Sequence, residues 1–302
     1  MNYDIVIAGA GVIGLTLARQ ILETQPCVKL LVLEKESSLG VHASGRNSGV
    51  LHTGIYYPTD TLKAKFCKKG ADVLFDYALM HKIPVRKDGK VVVARSEENA
   101  LGLHKLMKNA EDNGIDAVLM NESEIKDIEP HAFSEFGGIY CRDTAVIDSK
   151  AVLIQLAIDV KGLGGEIKYC QRVESVIDDE KYLTTNNSKV CYGYFINTAG
   201  AFADNIAKMA GVGNEFRLIP FKGLYYKLSE KYASRIRGSI YPVPDPSLPF
   251  LGIHFTRSIN NDIYVGPTAI PALGRENYGL LDGLKLGESI TILSQLAGLY
   301  KS

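Results

Sequence analysis

Three glycines spaced Gly9-x-Gly11-x-x-Gly14 are the first residues in this chain that could hold a reactive molecule. Their spacing suits the diphosphate of a dinucleotide. Gly9 permits a tight turn, Gly11 lets the backbone approach a pyrophosphate, and Gly14 allows a helix to pack closely on a strand. The helix that follows offers unpaired N–H groups and a partial positive charge at its N-terminus. Glu34 lies about twenty residues past Gly14, at the end of the next apolar run. An acidic side chain there can accept from ribose hydroxyls and disfavours a 2′-phosphate. A second strand–Gly–helix turn, Asn197-Thr198-Ala199-Gly200-Ala201, can bring further backbone donors to the same molecule. This pattern does not separate a nicotinamide from a flavin dinucleotide.

Proton transfer near neutral pH would fall to histidine. Six are present: His42, His52, His81, His104, His131 and His254. His81, His104 and His131 lie in polar or acidic contexts and read as surface residues. His42 sits in a polar, Gly-rich stretch, Gly40 to Gly54, which is long for a connection inside a compact domain. The five cysteines form no CxxC pair and are odd in number. Disulfides and a zinc site are not expected, and a reducing compartment is. No metal site is expected.

The elements that would position these groups follow from apolar periodicity. Tyr3–Ala8 and Lys29–Glu34 read as buried parallel strands. Between them Ile13–Glu23 reads as a helix with Ile13, Leu17, Ile21 and Leu22 on one face. That is a βαβ unit. Further helices are expected over Lys63–Lys82, Glu97–Asn113, Glu122–Glu129, Ser149–Leu163 and Asp204–Ala210. Strands are expected at Val91–Ala94, Glu166–Tyr169, Arg172–Ile177 and Val190–Asn197. From Arg217 the runs Leu224–Leu228, Phe250–Phe255 and Ile263–Val265 are β-like and broken by Pro and Gly, as in an antiparallel sheet of a second domain.

Composition bounds the function. The 302 residues suit one large or two intertwined domains. Hydrophobic residues are 46% and charged residues 23%, with 34 basic against 34 acidic side chains. That balance gives no reason to expect nucleic acid as a partner. No stretch approaches the ~20 apolar residues of a membrane span. The N-terminus has no signal-peptide pattern, and no transit peptide fits before the first strand.

Longer runs resemble one family. They are Arg46-Asn47-Ser48-Gly49-Val50-Leu51-His52-Thr53-Gly54-Ile55-Tyr56-Tyr57, Pro220-Phe221-Lys222-Gly223 with Tyr225-Tyr226-Lys227-Leu228, and Tyr241-Pro242-Val243-Pro244-Asp245-Pro246 continuing Leu248-Pro249-Phe250-Leu251-Gly252-Ile253-His254-Phe255-Thr256. These look like the L-2-hydroxyglutarate dehydrogenase/oxidase family, within the D-amino-acid-oxidase-like flavoproteins, over about residues 1–278. The resemblance implies FAD and an α/β fold, with a Rossmann-like FAD-binding domain intertwined with an antiparallel-sheet substrate domain. It implies oxidation of L-2-hydroxyglutarate to 2-oxoglutarate by hydride transfer to flavin. Another 2-hydroxy acid or an amino acid is the alternative substrate class, and a weakly active or inactive flavin-binding relative is the other alternative. The electron acceptor would be oxygen or a quinone. The location would be cytoplasmic, with a peripheral inner-membrane contact if the acceptor is a quinone.

By the same resemblance, Gly9, Gly11, Gly14, Glu34 and Lys35 would hold the ADP half of FAD. Ser44, Arg46, Asn47 and Ser48 would lie along the pyrophosphate and flavin. Val173 would meet the adenine, and Ala199 and Gly200 would close the phosphate side. His52 and His254 are the two candidate bases, His52 the nearer to the flavin. Lys222, Tyr57 and Tyr226 are candidate donors to the substrate, with Arg275 behind them. The domains would be 1–80 with 145–215 for FAD and 81–144 with 216–278 for substrate, leaving 279–302 as a divergent tail. Family chains run on past this length, which implies a C-terminally truncated form. Lys222 stands where the family usually has arginine and Leu224 where it has glutamate. Lysine cannot give a carboxylate the bidentate fork of arginine.

Overall fold

The computed structural model describes residues 2–245 and 251–299. Pro246, Leu248, Pro249 and Phe250 of the quoted run lie outside the described residues. Two compact units emerge. One comprises Met1–Asn47, Ser149–Phe221 and Pro271–Ser302, and the other Ser48–Asp148 and Lys222–Ile270. The first crossing therefore falls at residue 47 rather than near 80, because helix Leu62–Met80 packs on strands Val85–Lys87 and Ala145–Ile147 of the second unit. The stretch after Gly279 joins the first unit rather than forming a separate tail. There Asn277 Nδ2 donates to the Gly279 and Asp282 carbonyls at 3.1 and 2.9 Å.

The first unit is built on a six-stranded sheet. β1 (Asn2–Ala8) lies between β2 (Leu30–Leu33) and strand Lys189–Asn197, with Glu166–Lys168 beyond β2. These four run parallel. Tyr182–Thr185 and Val173–Ile177 extend the sheet antiparallel on the other side. Val6, Ile7 and all of β2 are at most 2% exposed, as expected of strands covered on both faces. Register aligns Ala8 with both Leu33 and Asn197. The turns after β1, β2 and Lys189–Asn197 consequently leave one edge together, the edge at which open α/β sheets bind ligands.

α1 (Val12–Thr24) buries Gly14, Leu15, Ala18 and Leu22. The helix does not bury the face that its apolar spacing predicts, since Ile13 is 70% exposed. Close backbone approach at Gly14 decides which side of the helix meets the sheet, and apolar spacing alone does not report that approach.

The second unit holds a seven-stranded sheet in the order Phe221–Lys227, Ile263–Pro271, His254–Arg257, Ser239–Pro242, Lys90–Val93, Gly138–Cys141, Ala117–Met120. It is mixed rather than antiparallel throughout, since Ser239–Pro242 runs parallel to Lys90–Val93. The long intervening chain permits this, because a parallel pair needs a crossover. Residues alternate between faces. Val92 packs with Leu103, Leu106 and Ile139, while Val91 and Val93 pack with Ile125 and Ile236. Among the described residues no helix is long and apolar enough to cross a membrane.

Candidate functional site

The glycine turn after β1 is closed on itself. Gly9 has φ +106, and a Cβ there would stand 2.5 Å from the Thr198 carbonyl oxygen. A Cβ at Gly14 would fall 2.0 Å from the Gly9 oxygen, and one at Gly11 would fill the space 3.0 Å from Ser44 Oγ. Gly11, the N-cap of α1, has no side chain with which to cap the helix. Leu15 N–H bonds the Gly11 carbonyl at 3.0 Å, which leaves the Ile13 and Gly14 N–H groups of the first turn without an intrahelical acceptor. Gly200, at φ +55, has open space where a Cβ would point. This cradle fits the diphosphate of a dinucleotide.

Glu34 braces the turn from behind. Its carboxylate accepts from Ala10 N–H at 3.0 Å and Glu36 N–H at 2.9 Å. Ser44 Oγ accepts from Val12 N–H at 3.0 Å. Arg46 donates through Nε to the Val41 carbonyl at 2.7 Å, and its guanidinium lies 4.2 Å from the Tyr278 ring centre. Asn47 Nδ2 donates to the Ala43 and Ser44 carbonyls. Val173 is 9% exposed within the core of this unit, and Ala199 N–H donates to Asn197 Oδ1 at 3.2 Å. These residues share the first unit. Ser48 belongs to the second, where its Oγ accepts weakly from Val50 N–H at 3.4 Å.

Lys35 contacts the carboxylates of Glu36 and Glu276, and its Nζ lies 2.7 Å from His42 Nε2. Lys35, followed by His42, holds the Glu36 carboxyl down to about 2. Glu36, His42 and Glu276 bring three ligand-type atoms together, but the Lys35 ammonium already supplies their cation.

Arg275 is not free to receive a substrate. It is 10% exposed and grips Asp204 with two nitrogens at 2.6 and 2.9 Å, with Glu288 at 3.4 Å. Burial pushes the Asp204 carboxyl up. The Arg275 fork and Leu218 N–H outweigh this and leave it below the usual aspartate range. The pair's contribution is present above that range and fades as pH falls through the lowered value, since the unfolded carboxyl takes a proton first. Arg275→Ala is expected to destabilise the fold by about 3 kcal/mol. The check is urea denaturation, and an unmoved midpoint would contradict it.

The second unit gathers both candidate bases around one ring. Tyr241 stacks on His254 with centroids 3.9 Å apart and meets His52 edge-on at 6.0 Å. His254 is 6% exposed, and its Nδ1 lies 2.8 Å from the Gly252 carbonyl. A carbonyl can only accept, so Nδ1 carries the proton and the neutral ring keeps its lone pair on Nε2. Burial pushes His254 below the ordinary histidine range. Burial, then the Lys90 charge and His254, push His52 down to about 3. Both rings are therefore neutral near pH 7. The enclosed His52 Nδ1 has no partner among the described residues.

The candidate substrate donors are not gathered in the same way. Tyr226 is 76% exposed on the strand that also carries Lys222. Tyr57 sits in the loop after Gly54, below Lys63 Nζ at 5.6 Å. Sequence reasoning missed Lys90, which is 1% exposed beside Tyr56 and Tyr241. One charged residue at the head of the run Lys-Val-Val-Val was the available signal, and it reads equally as a strand end.

The family model for FAD dependent oxidoreductase (DAO) matches residues 4–298, including the stretch after Gly279. The chain is 36% identical to a mitochondrial L-2-hydroxyglutarate dehydrogenase of Nematostella vectensis, over 93% of this chain and 65% of that protein. It is 34% identical to the mitochondrial L-2-hydroxyglutarate dehydrogenase of Homo sapiens, over 93% and 64%. The corresponding figures for the L-2-hydroxyglutarate dehydrogenase of Salmonella houtenae are 34%, 91% and 66%. The chain thus spans about two thirds of the length of these relatives. Its fold is similar to that of an L-α-glycerophosphate oxidase from Mycoplasma pneumoniae, solved with FAD bound. The TM-score is 0.82 at 24% identity, covering 94% of this chain and 76% of that one.

Proposed function

The chain belongs to the family of FAD-dependent oxidoreductases, and from that premise we propose that it oxidises L-2-hydroxyglutarate to 2-oxoglutarate. The relatives that carry this activity in their names support the substrate. The residues proposed to hold FAD are Gly9, Gly11, Gly14, Glu34, Lys35, Ser44, Arg46, Asn47, Ser48, Val173, Ala199 and Gly200. When bound, FAD supplies the acceptor for the hydride leaving C2 of the substrate.

The observation that carries the protein's share is the His254 tautomer. Its Nδ1–H donates to the Gly252 carbonyl, and burial keeps the ring neutral. Nε2 then takes the proton of the C2 hydroxyl, so the oxygen electrons can form the carbonyl of the product. Lys222, Tyr57 and Tyr226 are the proposed donors to the two carboxylates. A carboxylate-binding group need not ionise during the reaction, so their work is orientation.

The test is the visible spectrum of the purified chain before and after anaerobic L-2-hydroxyglutarate. A flavin spectrum that bleaches supports the reading. A flavin spectrum that bleaches only with another 2-hydroxy acid or an amino acid replaces the substrate. A protein that stays colourless with added FAD overturns the reading for this chain. Supplying oxygen or a soluble quinone during turnover then identifies the acceptor.

A further inference from the structure

A buried cation lies behind the candidate base, and the proposed reaction does not yet use it. Lys90 heads the strand Lys90–Val93, is 1% exposed, and among the described residues its Nζ has no hydrogen-bond partner. Burial pushes the Lys90 ammonium below the ordinary lysine range, since a buried cation is costly unless something replaces its water. Two aromatic faces do so. Nζ lies 4.4 Å from the Tyr56 ring centre and 5.3 Å from that of Tyr241. Such contacts favour a cation, more strongly when water is excluded.

The titratable groups around Lys90 come from every element packed against it. Cys67 lies on helix Leu62–Met80 and Cys141 on strand Gly138–Cys141. His52 and Tyr56 belong to the loop after Val50–Leu51, Tyr241 to Ser239–Pro242 and His254 to His254–Arg257. Burial pushes the two thiols and the two phenols up, so none of them supplies a negative charge near neutral pH. No carboxylate forms an ion pair with Lys90 among the described residues. Its charge is left uncompensated within the cluster that holds both imidazoles, and the Tyr241 ring contacts all three side chains.

We propose that Lys90 is a positioning residue: its ammonium, set against the rings of Tyr56 and Tyr241, supplies a fixed charge that adds to burial in keeping the His52 and His254 imidazoles unprotonated. A second positive charge in this dry cluster would meet the first with little screening. At His254 burial acts first, the Gly252 carbonyl opposes it in part, and the Lys90 charge adds to burial. Lys90 therefore guards the proton-accepting state of the ring without touching the substrate. Its part in catalysis rests on the reading of His254 as the base; its electrostatic part does not.

The test uses the full chain. In wild-type protein with isotope-labelled lysine, NMR is expected to show the Lys90 side chain as an ammonium at neutral pH. A neutral amine there overturns the proposal, and this measurement needs no variant. Imidazole resonances are then followed from about pH 4 to about pH 8 in wild type, Lys90→Met and Lys90→Gln. The His254 midpoint is expected to rise in both variants, with proton affinity increased about tenfold. An unmoved midpoint overturns the proposal. With L-2-hydroxyglutarate, the acid limb of kcat/KM is expected to rise with that midpoint. A uniform loss of rate with an unmoved limb would make Lys90 merely structural, and also overturns it. If the wild type turns over no substrate, the proposed function fails while the NMR midpoints still decide Lys90.

Discussion

Gly14→Ala is expected to give a protein that no longer retains FAD. The added Cβ would sit 2.0 Å from the Gly9 carbonyl oxygen and 2.7 Å from Thr198 Oγ1. The first is backbone and cannot rotate away. Thr198 also donates through Oγ1 to the Ala8 and Gly9 carbonyls, at 2.9 and 3.1 Å, so its hydroxyl is held. α1 must then lift from β1, carrying away the N–H groups that would face the diphosphate. A loss of helix-terminus donors and turn geometry together should weaken FAD at least a hundredfold, about 2.7 kcal/mol. Flavin fluorescence titration reads the affinity, and circular dichroism checks that the variant is folded. A folded Gly14→Ala protein with wild-type FAD affinity would show that this turn does not hold the cofactor. Ala at Gly70 is the control, because nothing lies within 4 Å of a Cβ there.

The second large effect is expected at His254. His254→Gln should lower kcat for L-2-hydroxyglutarate by about a hundredfold to ten-thousandfold, the range general bases supply. FAD affinity should stay near wild type, because the diphosphate cradle and His254 belong to different compact units. Glutamine keeps much of the ring's volume beside Tyr241 but has no basic nitrogen. In the wild type the acid limb of kcat/KM should lie below the ordinary histidine range. The base works only when neutral, and burial lowers the pH at which it gains its proton. Rapid-reaction measurement of flavin bleaching isolates this step from reoxidation. If His52→Gln costs more than His254→Gln, the role passes to His52, whose value is pushed to about 3 and whose acid limb would lie lower still.

The dinucleotide turn was legible in the sequence because it is local. A buried strand, three glycines at fixed spacing and an acidic residue after the next strand each report a constraint met within a few tens of residues. The glycines carry it themselves, since Gly9 and Gly14 stand where a Cβ meets backbone. Glu34 stands just after that next strand, where its carboxylate braces the Ala10 and Glu36 N–H groups.

The two candidate bases and their surroundings were legible only in part. His52 and His254 stood out within runs that resemble a family, yet spacing could not say that Tyr241 lies between them. That contact arises because Ser239–Pro242 pairs with His254–Arg257 on one side and with Lys90–Val93 on the other. The parallel pairing, which nothing in the local pattern announces, carries Lys90 under Tyr241. Arg275 shows the same limit, because only the folded chain reveals that Asp204 already holds it. So does Ile13, whose apolar spacing suited a core but whose helix is turned by the Gly14 contact. Sequence by itself determined the longer helices, the first βαβ unit and its glycine turn, because short-range sterics and hydrogen bonding set them. Tertiary structure alone decided which charges are buried, which are paired and which tautomer a histidine keeps, because those depend on neighbours brought together by sheet order and register.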